Sequence, residues 1–280
     1  MLKYVFSGLV TTMVSVLMLS NSYADALTDK VKAGETIRIG FANEVPWAYP
    51  GENNEPLGFV HVVVLGALKE MGINEVEPVV TDWGGLIPGI KANRYDIVTG
   101  GMYIRGTRCA NMNFSDPIGV FGDVFVVHKG NPKNLQTFKD IKDSGAIIVT
   151  GAGYSTVEVA KQEGVLDSQI MQVPGPSEML AALLAGRADA IGTNYFGGKH
   201  LHEQSGGKTE LTDPSKLPIY TKQGVGIGFR LADTDFLAEF NKALAVFIGT
   251  EEHLAAAAEY GYDEASLPDG TSTEYYCANR

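Results

Sequence analysis

Thr36-Ile37-Arg38-Ile39-Gly40-Phe41 alternates apolar Ile37, Ile39 and Phe41 with Arg38 and Gly40, the period of two that marks a half-buried strand. Outward from it, a loop rich in Pro, Gly and Asn leads to a helical stretch at residues 59–71 and a strand at 76–81. A helical stretch around 86–93 and a strand at 95–98 follow. This β-α-β-α-β order predicts an α/β fold with a mainly parallel sheet flanked by helices.

A second series of the same kind comes later in the chain. The run Val124-Phe125-Val126-Val127 ends at His128-Lys129-Gly130-Asn131-Pro132, where polar, turn-rich composition predicts that the chain leaves one domain. Strands at 146–150, 170–173 and 189–193 then alternate with helices at 155–162 and 177–184. Residues 217–229 read as extended and apolar, and residues 236–260 as one helix with an alanine-rich face. The simplest layout is lobe one at residues 25–127 plus 224–280 and lobe two at 128–223, joined by a two-strand hinge. Ligands of such folds bind beyond the carboxyl ends of the strands, here facing a cleft between lobes.

The N-terminus carries Lys3, an apolar run over residues 5–19 and then Ser22-Tyr23-Ala24, the pattern of a cleavable secretory signal ending at residue 24. The run is short of the ~20 residues of a membrane span. Its removal leaves 256 of the 280 residues and moves the formal net charge from −11 to −12, a balance that argues against nucleic acid or an anionic membrane as partner. Export to the periplasm, an oxidising compartment, favours a disulfide between the two cysteines, Cys109 and Cys277. The other reading is a free buried thiol at Cys109 and a frayed tail.

Three successive strand ends carry aromatic side chains. The first is followed by Asn43-Glu44-Val45-Pro46-Trp47, the second by Thr81-Asp82-Trp83-Gly84-Gly85, the third by Gly100-Gly101-Met102-Tyr103-Ile104-Arg105-Gly106-Thr107-Arg108. Taken singly, Glu44 reads as a solvated loop acid and Trp47 as a lid on the core. Together, Trp47, Trp83 and Tyr103 could enclose a cation that Glu44 neutralises, while Arg108 offers a planar fork to a carboxylate. Gly151-Ala152-Gly153-Tyr154-Ser155-Thr156 adds a strand-to-helix turn whose N–H groups and hydroxyls suit an anion. These parts predict a small carboxylate bearing a soft cation. A third glycine is missing from the turn, so a dinucleotide site is rejected.

At these residues the chain resembles periplasmic solute-binding proteins of the amino-acid type, and within them the ectoine and hydroxyectoine binders. The resemblance rests on the acid-x-x-aromatic at Glu44 to Trp47, Ile104 to Arg108, Phe114-Ser115-Asp116-Pro117 and Gly186-Arg187-Ala188-Asp189-Ala190. The ectoine likeness rests on Glu44, the aromatic trio, and Gly101-Met102-Tyr103-Ile104 with Arg108-Cys109. It implies a type II two-lobe fold serving an ABC importer, with Glu44, Trp47, Trp83, Gly101, Tyr103, Arg108, Ser155, Thr156 and Asn194 around the ligand. It further implies a monomer that hands a small zwitterion to a membrane permease, with no cofactor or metal and no catalysis. Two departures stand out: Arg105 replaces the motif threonine, and tryptophans stand where phenylalanine or tyrosine is expected. Asn194 occupies the place where amino-acid binders carry an aspartate for the α-ammonium, which favours ectoine, whose delocalised amidinium has no such group.

Glycine betaine and proline betaine would also suit an aromatic box but offer no N–H to Glu44. A polar or cationic amino acid such as glutamine or arginine is a further candidate. A periplasmic enzyme on the same fold, such as a dehydratase, would need a catalytic set that the strand ends do not display. His200 and His202, two apart on a helix, point away from each other and read as surface residues. A receptor's sensory domain would need a following membrane span.

Overall fold

The computed structural model describes residues 25–279, so the expected signal at residues 1–24 lies outside the described residues. Ile37, Ile39 and Phe41 are buried in the strand Ile37–Phe41, which pairs in parallel with Val76–Val80 on one side and Ile97–Tyr103 on the other. Gln223–Phe229 then joins Ile97–Tyr103 antiparallel, and pairs in turn with Asn113–Phe114 and Gly119–Phe121. Helix Phe59–Glu70 covers this sheet with Phe59, Val60, Val63, Val64, Ala67 and Leu68, all fully buried in one core with Phe236 and Phe240 of the helix Thr234–Phe247.

The second sheet repeats the plan. Its order is Ile170–Val173, Ile148–Gly151, Ala190–Asn194, Asp123–His128 and Thr209–Leu211; the first three strands are parallel and Asp123–His128 is antiparallel to Ala190–Asn194. Each sheet is mainly parallel, as expected, with one strand running against the others where the chain crosses over. The two crossings run side by side, with Phe121 opposite Gln223.

Several expectations change in detail. The strand at 123–128, read above as the end of lobe one, hydrogen-bonds within the second sheet. His128 to Pro132 is the turn that ends this strand. The third strand begins at Ile97, not at residue 95, and continues through Gly100 and Gly101 to Tyr103, while Tyr95 turns into the core and donates to the carbonyls of Gly85 and Leu86. The single helix expected at 236–260 is two helices, Thr234–Phe247 and Glu251–Ala257, because Gly249 takes φ +78° and Thr250 caps the second through the His253 N–H at 3.2 Å. Residues 219–221 form a 3-10 turn before Gln223–Phe229.

Cys109 and Cys277 form a disulfide, with Cα atoms 5.8 Å apart. It holds the C-terminal helix Thr273–Asn279 against Gly106–Cys109, and Tyr276 is buried there in a cluster with Met112 and Phe114.

Candidate ligand-binding site

The loop after Ile37–Phe41 turns Glu44 and Trp47 inward, and the backbone closes on itself through an Ala48 N–H to Glu44 carbonyl bond of 3.0 Å. Trp47 lies on the core of the first lobe, its ring centroid 4.7 Å from those of Phe59 and Phe121. Gly101 makes room for it: a Cβ there would sit 2.7 Å from the indole, and φ is +70°. Trp47 is thus both lid of the core and wall of the cleft, so the two readings of it are not exclusive.

From the second lobe, the turn before the helix Ser155–Gln162 brings Tyr154 to Glu44, and the phenol donates to Oε1 of that carboxylate. Trp83 stacks edge-on to Tyr154 with centroids 5.2 Å apart and donates to the Gly153 carbonyl at 3.2 Å. Arg108, buried, donates to the carbonyls of Tyr103 at 2.9 Å and Gly153 at 3.1 Å, and its guanidinium carbon lies 5.9 Å from the Trp83 ring centroid. Farther out, Arg105 pairs with Glu158 at 2.9 Å. The lobes therefore meet in a closed arrangement.

All nine residues expected at the ligand line one small cavity between the lobes: Glu44, Trp47, Trp83, Gly101, Tyr103, Arg108, Ser155, Thr156 and Asn194. Three further residues join them: Gly100, Tyr154 and Asp123. Tyr154 stood in the quoted turn, but its ring reaches the cleft because the lobes are closed. Asp123 was missed altogether. The sequence signal was a lone acid inside an otherwise apolar run from Ile118 to Val127, and Glu44 is consequently not the cavity's single anion.

The electrostatics divide the cavity. Burial pushes the Glu44 carboxyl up to about 7, against the pull of the Tyr154 hydrogen bond. Burial likewise pushes Asp123 up to about 7, opposed by the Tyr103 hydroxyl and by Arg105 and Arg108. Burial, with Arg105 nearby, lowers Arg108 to about 10, so it stays charged at neutral pH. Near it lies the N-terminus of the helix Ser155–Gln162, whose Tyr154 provides no side-chain cap. One wall thus suits a carboxylate, through Arg108 and the helix N–H groups. Away from Arg108, the buried Glu44 with Trp47 and Tyr154 suits a cation.

A cleft of this kind between two lobes defines a protein built to enclose a small solute. The chain belongs to the bacterial extracellular solute-binding proteins, family 3, whose model matches residues 37–261. It is 33% identical to a probable amino-acid ABC transporter periplasmic-binding protein, y4tE, of Sinorhizobium fredii, over 94% of this chain and 90% of the relative. It is 24% identical to the L-cystine-binding protein TcyJ of Escherichia coli, over 80% and 82%. Among solved structures it is similar to EhuB in complex with hydroxyectoine, with a TM-score of 0.80 and 26% identity over 90% of this chain and 98% of that one. The fold is the two-lobe type II binding-protein fold, each lobe a sheet flanked by helices.

Proposed function

We propose that this protein is the periplasmic binding component of an ABC importer and captures ectoine or hydroxyectoine for delivery to its membrane permease. It acts as a carrier rather than an enzyme, as a monomer delivered by the N-terminal signal. The observation that carries the reading is the division of one cavity between Arg108 with the Ser155–Thr156 helix end and Glu44 within an aromatic enclosure. A ring that bears a carboxylate on one side and a delocalised amidinium on the other fits that division. The likeness to the hydroxyectoine complex of EhuB supports it. A polar amino acid is the second reading, favoured by Asp123, which could receive an ammonium.

In this reading the lobes comprise residues 25–122 with 223–280, and residues 123–222, and they rotate about the paired crossings at Phe121 and Gln223. Titration calorimetry of the mature protein against ectoine, hydroxyectoine, glycine betaine, proline betaine, glutamine, arginine and cystine tests the substrate. Tightest binding of ectoine or hydroxyectoine is expected. Tight binding of an amino acid with no response to either would refute it. Small-angle scattering should show a smaller radius of gyration with the bound solute, and an unchanged radius would count against closure.

A further inference from the structure

Asp123 begins the strand that carries the chain into the second lobe, and it lines the same cavity as Glu44 and Arg108. It is 2% exposed. Its Oδ1 accepts the Tyr103 hydroxyl at 3.2 Å, whereas Oδ2 is buried with no hydrogen-bond partner among the described residues. Neither neighbouring arginine is spent on it: Arg105 pairs with Glu158, and Arg108 donates to two backbone carbonyls. A buried carboxylate oxygen without a donor is costly, and the cost is recovered when a donor arrives.

The residue paired with Asp123 across the sheet is Asn194. Its amide oxygen is already shared between the Trp47 indole and the Gly197 N–H, so it is poorly placed to receive a ligand donor. A second carboxylate at that paired position would repel Asp123. The cavity thus holds two acids from different lobes, Glu44 and Asp123, and each has a tyrosine hydroxyl on one oxygen.

We propose that Asp123 is a specificity-determining ligand contact, so that the solute carries two hydrogen-bond donors, one for Glu44 and one for Asp123, besides a carboxylate held by Arg108. This rests on the cavity being the solute site and narrows the solute to donor-bearing cations such as an amidinium with two N–H groups or a primary ammonium. Quaternary ammonium zwitterions, which donate nothing, satisfy neither acid.

The test compares the unmodified mature protein with Asp123→Asn and Asp123→Ala by titration calorimetry with ectoine, hydroxyectoine, L-glutamine, L-arginine and glycine betaine, and by thermal unfolding with and without each. Asp123→Asn is expected to weaken the best donor-bearing solute by at least about tenfold. Glycine betaine affinity should change by less than about threefold, since it has no donor to lose. Without ligand the Asn variant should melt no lower than the parent, because the unpaired charge has gone, while its ligand-induced shift shrinks. A merely structural role would lower the ligand-free melting temperature and weaken every solute alike, overturning the proposal. So would unchanged affinity of Asp123→Asn, or selective binding of glycine betaine by the parent. If the parent ignores ectoine but binds glutamine or arginine, and Asp123→Asn loses it, the ectoine reading falls and the role of Asp123 stands. If the parent binds ectoine and Asp123→Asn binds it equally, the reverse holds.

Discussion

Nε1 of Trp47 donates to Oδ1 of Asn194 at 2.7 Å, and the same oxygen accepts the Gly197 N–H at 2.7 Å. A first-lobe indole and the N-terminus of the second-lobe helix Tyr195–Gln204 thus share one acceptor. Asn194→Ala removes the cap and the link together. The expected outcome is a loss of about 1 kcal/mol in stability by thermal unfolding, with ligand affinity reduced because closure loses a contact.

Arg108 lines the cavity at the carboxylate end and is both buried and charged. Its replacement by Ala leaves the solute's carboxylate without a charged partner, an expected loss of about 2–5 kcal/mol in binding. Lys should restore only part of this, because a point charge cannot match two oxygens or stack on Trp83 as the planar guanidinium does. Calorimetry on the three proteins checks the order Arg, Lys, Ala.

The two tryptophans should not behave alike. Trp47 is 3% exposed and packs on Phe59 and Phe121, so Trp47→Ala should cost about 3–5 kcal/mol of folding stability as well as affinity. Trp83 is only partly buried and touches Tyr154 and Arg108 at the cleft. Trp83→Ala should weaken binding by about 1–3 kcal/mol and leave the ligand-free melting temperature nearly unchanged.

Glu44 and Asp123 give the pH response of the cavity. Their ordinary values are 4.5 and 3.8, and burial raises each to about 7. Between those limits the folded state holds protons that the unfolded chain has released, so this stability is full at low pH and is lost as pH rises through about 7. A cationic solute works in the opposite sense, since it needs the charged acids. From about pH 6.5, above the range in which the buried His61 pulls the other way, to about pH 8 the ligand-free melting temperature should fall while the ligand-induced increase grows. Glu44→Gln should flatten both trends, and equal slopes in parent and variant would exclude Glu44 as a source.

The first strand was legible because its large apolar residues Ile37, Ile39 and Phe41 fall at alternate, buried positions, and the helix Phe59–Glu70 because its apolar period follows its buried face. The nine cleft residues were legible because strand ends are where such folds present side chains. Asp123 was not, since the apolar residues around it are buried on both faces and their pattern cannot say which sheet they pair with. That depends on hydrogen bonding to Ala190–Asn194, sixty-odd residues later. The helix break at Gly249 was hidden for a different reason: the alanine-rich composition outweighed a single glycine, although Gly249-Thr250 is a C-terminal stop followed by an N-cap.

Cys109 and Cys277 sit in the two separate stretches of the first lobe, so the bond between them makes a covalent ring that encircles the whole second lobe in sequence. Cys277 also follows every strand of both sheets. The second lobe, one uninterrupted segment, can finish folding while its host is still incomplete. The host lobe lacks Gln223–Phe229 until that guest has been synthesised, and its clasp cannot fasten until later still. The chain thus supplies these parts from the inside outward, and an oxidised Cys109–Cys277 pair requires that the segments around residues 109 and 277 have met.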